Sequence, residues 1–138
     1  MAELTTRPGR LVLDAGGVSA IADGDGLARA TLDRACREGW LVVIPAPVLT
    51  EVHTGRRDHA RVVRVVNAVD MLIATTPERA RQAGELRSRS GVLDVVDAIV
   101  AAEAVAFPPA LVMTSDPDDV RRLIEAAGAS GRVAIVAV

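Results

Sequence analysis

Lysine and tyrosine are absent from this 138-residue chain, and tryptophan, phenylalanine and cysteine occur once each, as Trp40, Phe107 and Cys36. Every one of its 16 basic residues is therefore arginine. Without an ammonium side chain there is no Walker-type phosphate loop and no Schiff-base chemistry. With so few aromatics, the chain is poorly equipped to bind single strands by stacking bases on rings. A single cysteine cannot form an internal disulfide; Cys36 sits in an apolar stretch and reads as a reduced core residue. The first residues, MAELTTRPGR, lack the apolar segment of a signal peptide. No apolar run reaches the roughly 18 residues that a membrane span requires. A soluble cytoplasmic protein with no membrane association is the expectation.

Half of the residues are hydrophobic, so the core has to be built from Val, Leu, Ile and Ala. The length suits one domain over residues 1–138. Five short apolar runs bounded by breakers read as strands: RLVLD (10–14), LVVIP (41–45), MLIAT (71–75), ALVMTSD (110–116) and RVAIVAV (132–138). Helical stretches fall between them, near 17–22, 26–38, 47–54, 57–69, 77–89, 94–106 and 117–127. Val62, Val65, Val66 and Val69 recur at helical spacing in the fourth. Pro47, Pro77 and Pro117 lie near helix starts, and Gly128 lies where the last helix should end. Strands alternating with helices predict an α/β fold, a three-layer α/β/α sandwich around a mostly parallel five-stranded sheet.

That frame gives the acidic residues positions. Asp14 falls at the end of the first strand and Asp116 at the end of the fourth. In open α/β sheets, ligands bind outside the carboxyl ends of the strands where the strand order reverses. If strands one and four are neighbours, these two aspartates face each other there. Glu51 lies one turn into the helix after strand two, beside Val48 and Val52. Asp97 lies in the first turn of SGVLDVVDAIVAAEA (90–104), a helix apolar nearly all round. Such a helix belongs in the interior, and a buried carboxylate without a partner costs several kcal/mol. Four converging carboxylates are tolerable around a hard divalent cation; magnesium and manganese take oxygen ligands of this kind. Asp97 is therefore expected to face a metal.

At this point the chain resembles the PIN domain, and within it the VapC-type toxins of bacterial toxin–antitoxin pairs. LVLDAGGVSA is similar to that family's first strand and acid, VIPAPVLTEV to its second strand and glutamate-bearing helix, DVVDAIVAA to its third motif and VMTSDPDDV to its fourth. Together they span nearly the whole chain. The resemblance implies a PIN-like sandwich and an Mg²⁺- or Mn²⁺-dependent endoribonuclease, a hydrolase of RNA phosphodiester bonds that inhibits translation and growth. It also implies a homodimer and neutralisation by a small cognate antitoxin protein. The catalytic and metal-holding residues it implies are Asp14, Glu51, Asp97 and Asp116. One departure stands out: relatives place a hydroxyl or Asn after the first aspartate, where this chain has Ala15 and Gly16. Thr114 or Ser115 could supply that hydroxyl.

Blander readings stand beside these. Asp94 has Asp97 three places on, the spacing of a capping box, so it is a helix cap or a metal or substrate contact. Asp97 alone could be a carboxylate stabilised by the helix dipole. Asp116, Asp118 and Asp119 flank Pro117 at a helix start, where any could cap; Asp119 could join a metal through water. His53 and His59, without cysteine support, fit no zinc spacing. Arg57, Arg61 and Arg64 fall on one helical face, either solvated or in contact with RNA or antitoxin. The formal charge of −2 does not exclude RNA, since setting the four acids aside leaves 14 of the 18 acids against 16 arginines. Two rival functions remain: a non-catalytic PIN-like binding module, and a receiver-like or phosphoryl-transfer α/β protein, against which the missing lysine counts.

Overall fold

The computed structural model describes residues 7–138; Met1–Thr6, part of the segment without an apolar leader, lie outside the described residues. The five apolar runs form strands β1 (Arg10–Leu13), β2 (Leu41–Pro45), β3 (Met71–Ile73), β4 (Ala110–Thr114) and β5 (Val133–Ala137). They pair in the order β3-β2-β1-β4-β5, and every pairing is parallel. The "mostly parallel" expectation thus becomes an all-parallel sheet. All five residues of β2 are buried, as expected of a parallel strand covered on both faces, whose sequence has no polar alternation.

Among the described residues, seven α-helices accompany the strands: α1 (Ala15–Ala22), α2 (Gly26–Arg37), α3 (Leu49–Val52), α4 (Ala60–Ala68), α5 (Pro77–Ser90), α6 (Val95–Ala106) and α7 (Pro117–Ala126). Short 3₁₀ turns, Ala46–Val48 and Arg57–His59, lead into α3 and α4. Helices α1, α2 and α4 cover one face of the sheet, and α5, α6 and α7 cover the other, completing the three-layer sandwich. Local chemistry sets the helix ends. Thr76 caps α5 by accepting the Arg79 amide, Pro77 occupies its first position, and Gly91 closes it at φ 76°. Helix α6 is buried from Asp97 through Ala104. Its alanines let α5, α7 and the sheet approach closely, which explains why it shows no polar face.

Cys36 departs from expectation: it is exposed. The inward face of α2 is marked by buried Ala28 and Ala35, two turns apart. Cys36 follows Ala35 by one residue, about 100° round the helix, and lines an open cavity beside Leu32 and Val42 rather than the closed core. Among the described residues, no helix is long and apolar enough to cross a membrane.

Candidate metal centre

Strands β1, β2 and β3 run outward from the middle of the sheet, and the chain then returns to lay β4 on the other side of β1. The strand order therefore reverses between β1 and β4, whose carboxyl ends carry Asp14 and, two residues past Thr114, Asp116. This is where an open α/β sheet leaves a crevice.

Asp97, Asp116 and Asp119 each offer a carboxylate oxygen there, and the three oxygens lie within 4.8 Å of one another. Asp97 is only 8 % exposed. Burial raises its pKa from 3.8 to about 7, with the charges of Asp94, Asp116 and Asp14 adding to the effect, as does a hydrogen bond shared with Asp116. Asp116 occupies the cap position of α7, yet its carboxylate accepts no capping bond, so neither oxygen is taken up by the backbone of α7. Its amide instead donates to Thr114 Oγ1 at 2.9 Å. Asp119, in the first turn of α7, also lies 3.6 Å from Arg122.

Asp14 sits below this group, 4 % exposed. It caps α1, accepting the Gly17 amide at 2.8 Å. Burial raises its pKa and Asp116 adds to the rise, while hydrogen bonds from the Thr114 hydroxyl and the Gly17 and Gly16 amides pull it back. Thr114, fully buried, thus joins the end of β1 to the start of α7. The hydroxyl expected near the first aspartate comes from β4 rather than from the residue after Asp14. Gly16 and Gly17 make that junction possible. A Cβ on Gly16 would stand 2.1 Å from Ser115 Oγ, and one on Gly17 would stand 2.7 Å from the Met113 carbonyl oxygen.

Asp94 is a helix cap: its Oδ1 accepts the Asp97 amide at 2.8 Å. The remaining residues stand farther off. Glu51 lies on α3, exposed at the rim, and is not one of the three acids that converge. Burial still raises its pKa, as do the charges of Asp94 and Asp14, so it belongs to the same electrostatic field. Ser115 is exposed and packs over Gly16. Arg57 lies in the 3₁₀ turn before α4, while Arg61 and Arg64 line a cavity of about 530 Å³ bounded by α1, α2 and α4. That cavity includes none of the acids named above and forms a separate feature.

Sequence order favoured Glu51 over Asp119, whereas the geometry favours Asp119. Its spacing from Asp116, three residues across a helix start, was the signal available. Buried Glu103, 3.0 Å from Arg79 Nε, was not singled out from the sequence at all; no local pattern names a partner 24 residues away.

A close set of carboxylates without a neighbouring ammonium could hold a metal ion, and the all-oxygen donor set suits a hard cation. No family model matches the chain, and a comparison with curated proteins found no match, so the sheet topology and the acid cluster carry the functional reading.

Proposed function

We propose that this protein is a divalent-metal-dependent endoribonuclease of the VapC type, with a PIN-like fold, that cleaves RNA phosphodiester bonds. The observation that carries the reading is the approach of Asp97, Asp116 and Asp119 within 4.8 Å at the crevice where the strand order reverses. The ion of choice is Mg²⁺ or Mn²⁺, because every donor is a carboxylate oxygen. Asp97, Asp116 and Asp119 would hold it, with Asp14 beneath them and Glu51 at the rim. Bound there, the ion would neutralise charge on the phosphodiester and activate a water.

The chain's own residues do the rest. Thr114 and the amides of Gly16 and Gly17 hold Asp14 in place. The Asp94 cap fixes the first turn of α6 and thereby aims Asp97. With its pKa raised to about 7 in the metal-free protein, Asp97 would give up a proton when a cation binds. One of the four acids Asp14, Glu51, Asp97 and Asp116 would accept the proton of the attacking water. Clustered negative charge also fits a basic partner group. The reading includes a small cognate antitoxin that presents an arginine to these acids, and a homodimeric state.

The decisive experiment is RNA cleavage by the purified protein, with activity expected to vanish in EDTA and return with Mg²⁺ or Mn²⁺. Activity that survives EDTA, or returns with Zn²⁺ alone, would overturn the assignment.

A further inference from the structure

At the opposite, amino end of the sheet, two guanidiniums and one buried carboxylate lie together among the described residues. Glu103, near the C-terminal end of α6, is 3 % exposed. It accepts Arg79 Nε at 3.0 Å, which provides the guanidinium that a buried carboxylate requires. A second guanidinium, that of half-buried Arg10, lies 3.9 Å over the centre of the Phe107 ring, with Arg79 5.6 Å from the same ring. Among the described residues, Arg10 makes no ion pair and its side chain donates no hydrogen bond. Burial lowers its pKa; Glu103 opposes that shift and Arg79 adds to it. Among the described residues two guanidiniums thus lie near one carboxylate that only Arg79 contacts, and the Arg10 fork of donors meets no acceptor beside Phe107, a residue 46 % exposed.

A partly dry cation of this kind is stabilised by an oxyanion, and a guanidinium fork matches phosphate in two-point geometry. The Phe107 ring, covered by the Arg10 guanidinium, holds that group in place at the surface. The geometry points to a phosphate-binding seat formed by Arg10, with Arg79 and Phe107 beside it, at the amino end of the sheet. That the phosphate belongs to the RNA substrate rests on the function proposed above; a free nucleotide carries the same chemistry.

Helix α6 links the two ends. Asp97 and Phe107 are ten residues apart, about 15 Å along a helix. At about 3.4 Å per nucleotide of a stacked strand, the seat lies at least four to five nucleotides from the cut. RNA long enough to span both ends gains this phosphate contact in addition to those at the acids, and shorter RNA cannot hold both at once.

The test uses full-length protein carrying Asp97→Asn, to bind without cutting, combined with Arg10→Met, which keeps an unbranched stem against Phe107. Arg10→Gln serves as a second variant should the first fail to fold, and thermal melting checks both. Long RNA should bind about five-fold more weakly, and the slope of log affinity against log salt should flatten by about 0.7. RNA of three nucleotides, too short to occupy the acids and the seat together, should lose less, and Arg10→Lys should recover part of the loss. Arg81→Gln, on the exposed face of α5, is the control. An equal loss there would mean a diffuse positive field and would overturn the seat.

Mononucleotide titration separates the sources. If only mononucleotide affinity depends on Arg10, the seat stands and takes free nucleotides. If neither ligand responds to Arg10, a solvated guanidinium is all that is there and the seat is refuted. Should the unmutated protein neither bind nor cut RNA while mononucleotide binding still depends on Arg10, the endoribonuclease reading fails and the seat survives.

Discussion

Replacing Asp97 with asparagine should make the metal-free protein more stable, against the usual expectation for a buried polar residue. The carboxyl has a pKa of 3.8 when free and about 7 in the folded chain. Between those values the folded state holds a proton that the unfolded state has released. Stability is therefore highest at low pH and falls as pH rises from about 4 to 7. Every tenfold change in proton affinity corresponds to about 1.36 kcal/mol, which sets a ceiling of about 4 kcal/mol. Water and counter-ions on the open side of the cluster, together with relaxation of the exposed Asp116 carboxylate, reduce this to about 1 kcal/mol. Asparagine keeps the shape, removes the charge and can donate to Asp116. Metal-free Asp97→Asn should thus melt about 3–5 °C above wild type at pH 8. At pH 3, below both values, Asp97 is mostly protonated in the folded and the unfolded chain alike, and the two should nearly coincide. Adding Mg²⁺ at pH 8 should raise the wild-type melting temperature with occupancy and leave the variant almost unmoved. Scanning calorimetry in EDTA and in Mg²⁺ at both pH values measures all of this. A variant that melts clearly lower at pH 8, or a gain identical at pH 3 and 8, would refute the reasoning and reduce Asp97 to a structural residue of α6.

Other perturbations reach neighbouring parts of the same network. Gly16→Ala drives a methyl group into Ser115 and should cost about 1–3 kcal/mol while shifting Asp116, so urea unfolding and cleavage should both suffer; adding Ser115→Gly should restore part of each. Thr114→Val keeps the volume but removes the hydroxyl that serves Asp14 and the Asp116 amide, for a loss of about 1–2 kcal/mol and a further rise in the Asp14 pKa, seen in the carboxyl resonances by NMR. Glu103→Gln leaves Arg79 without its charge partner and should destabilise the fold by about 2–4 kcal/mol in urea, without changing the metal dependence of cleavage. An antitoxin fragment stripped of its basic residues should fail to neutralise the protein; full neutralisation would place inhibition away from the acids.

Much of this architecture is local in origin and therefore legible in the chain. Short apolar runs between breakers define the strands, Pro77, Pro117 and the capping spacing of Asp94 mark helix starts, and an apolar helix with two aspartates three apart announces a buried terminus. The alternation of these units is enough to require helices on both faces of a parallel sheet. Asp14 and Asp116 could be set at strand ends for the same reason. What the chain could not reveal depends on contacts between distant segments. Only sheet order makes β1 and β4 neighbours across almost a hundred residues, so only the tertiary structure brings Asp14 and Asp116 to one crevice. Only side-chain direction decides that Asp119, on the first turn of α7, reaches Asp97 while Glu51, on the four-residue helix α3, stays at the rim. The exposure of Cys36 and the choice of Arg79 as partner for Glu103 have the same cause. Helical and strand periods say which face a residue occupies, but the packing of whole elements determines what that face meets.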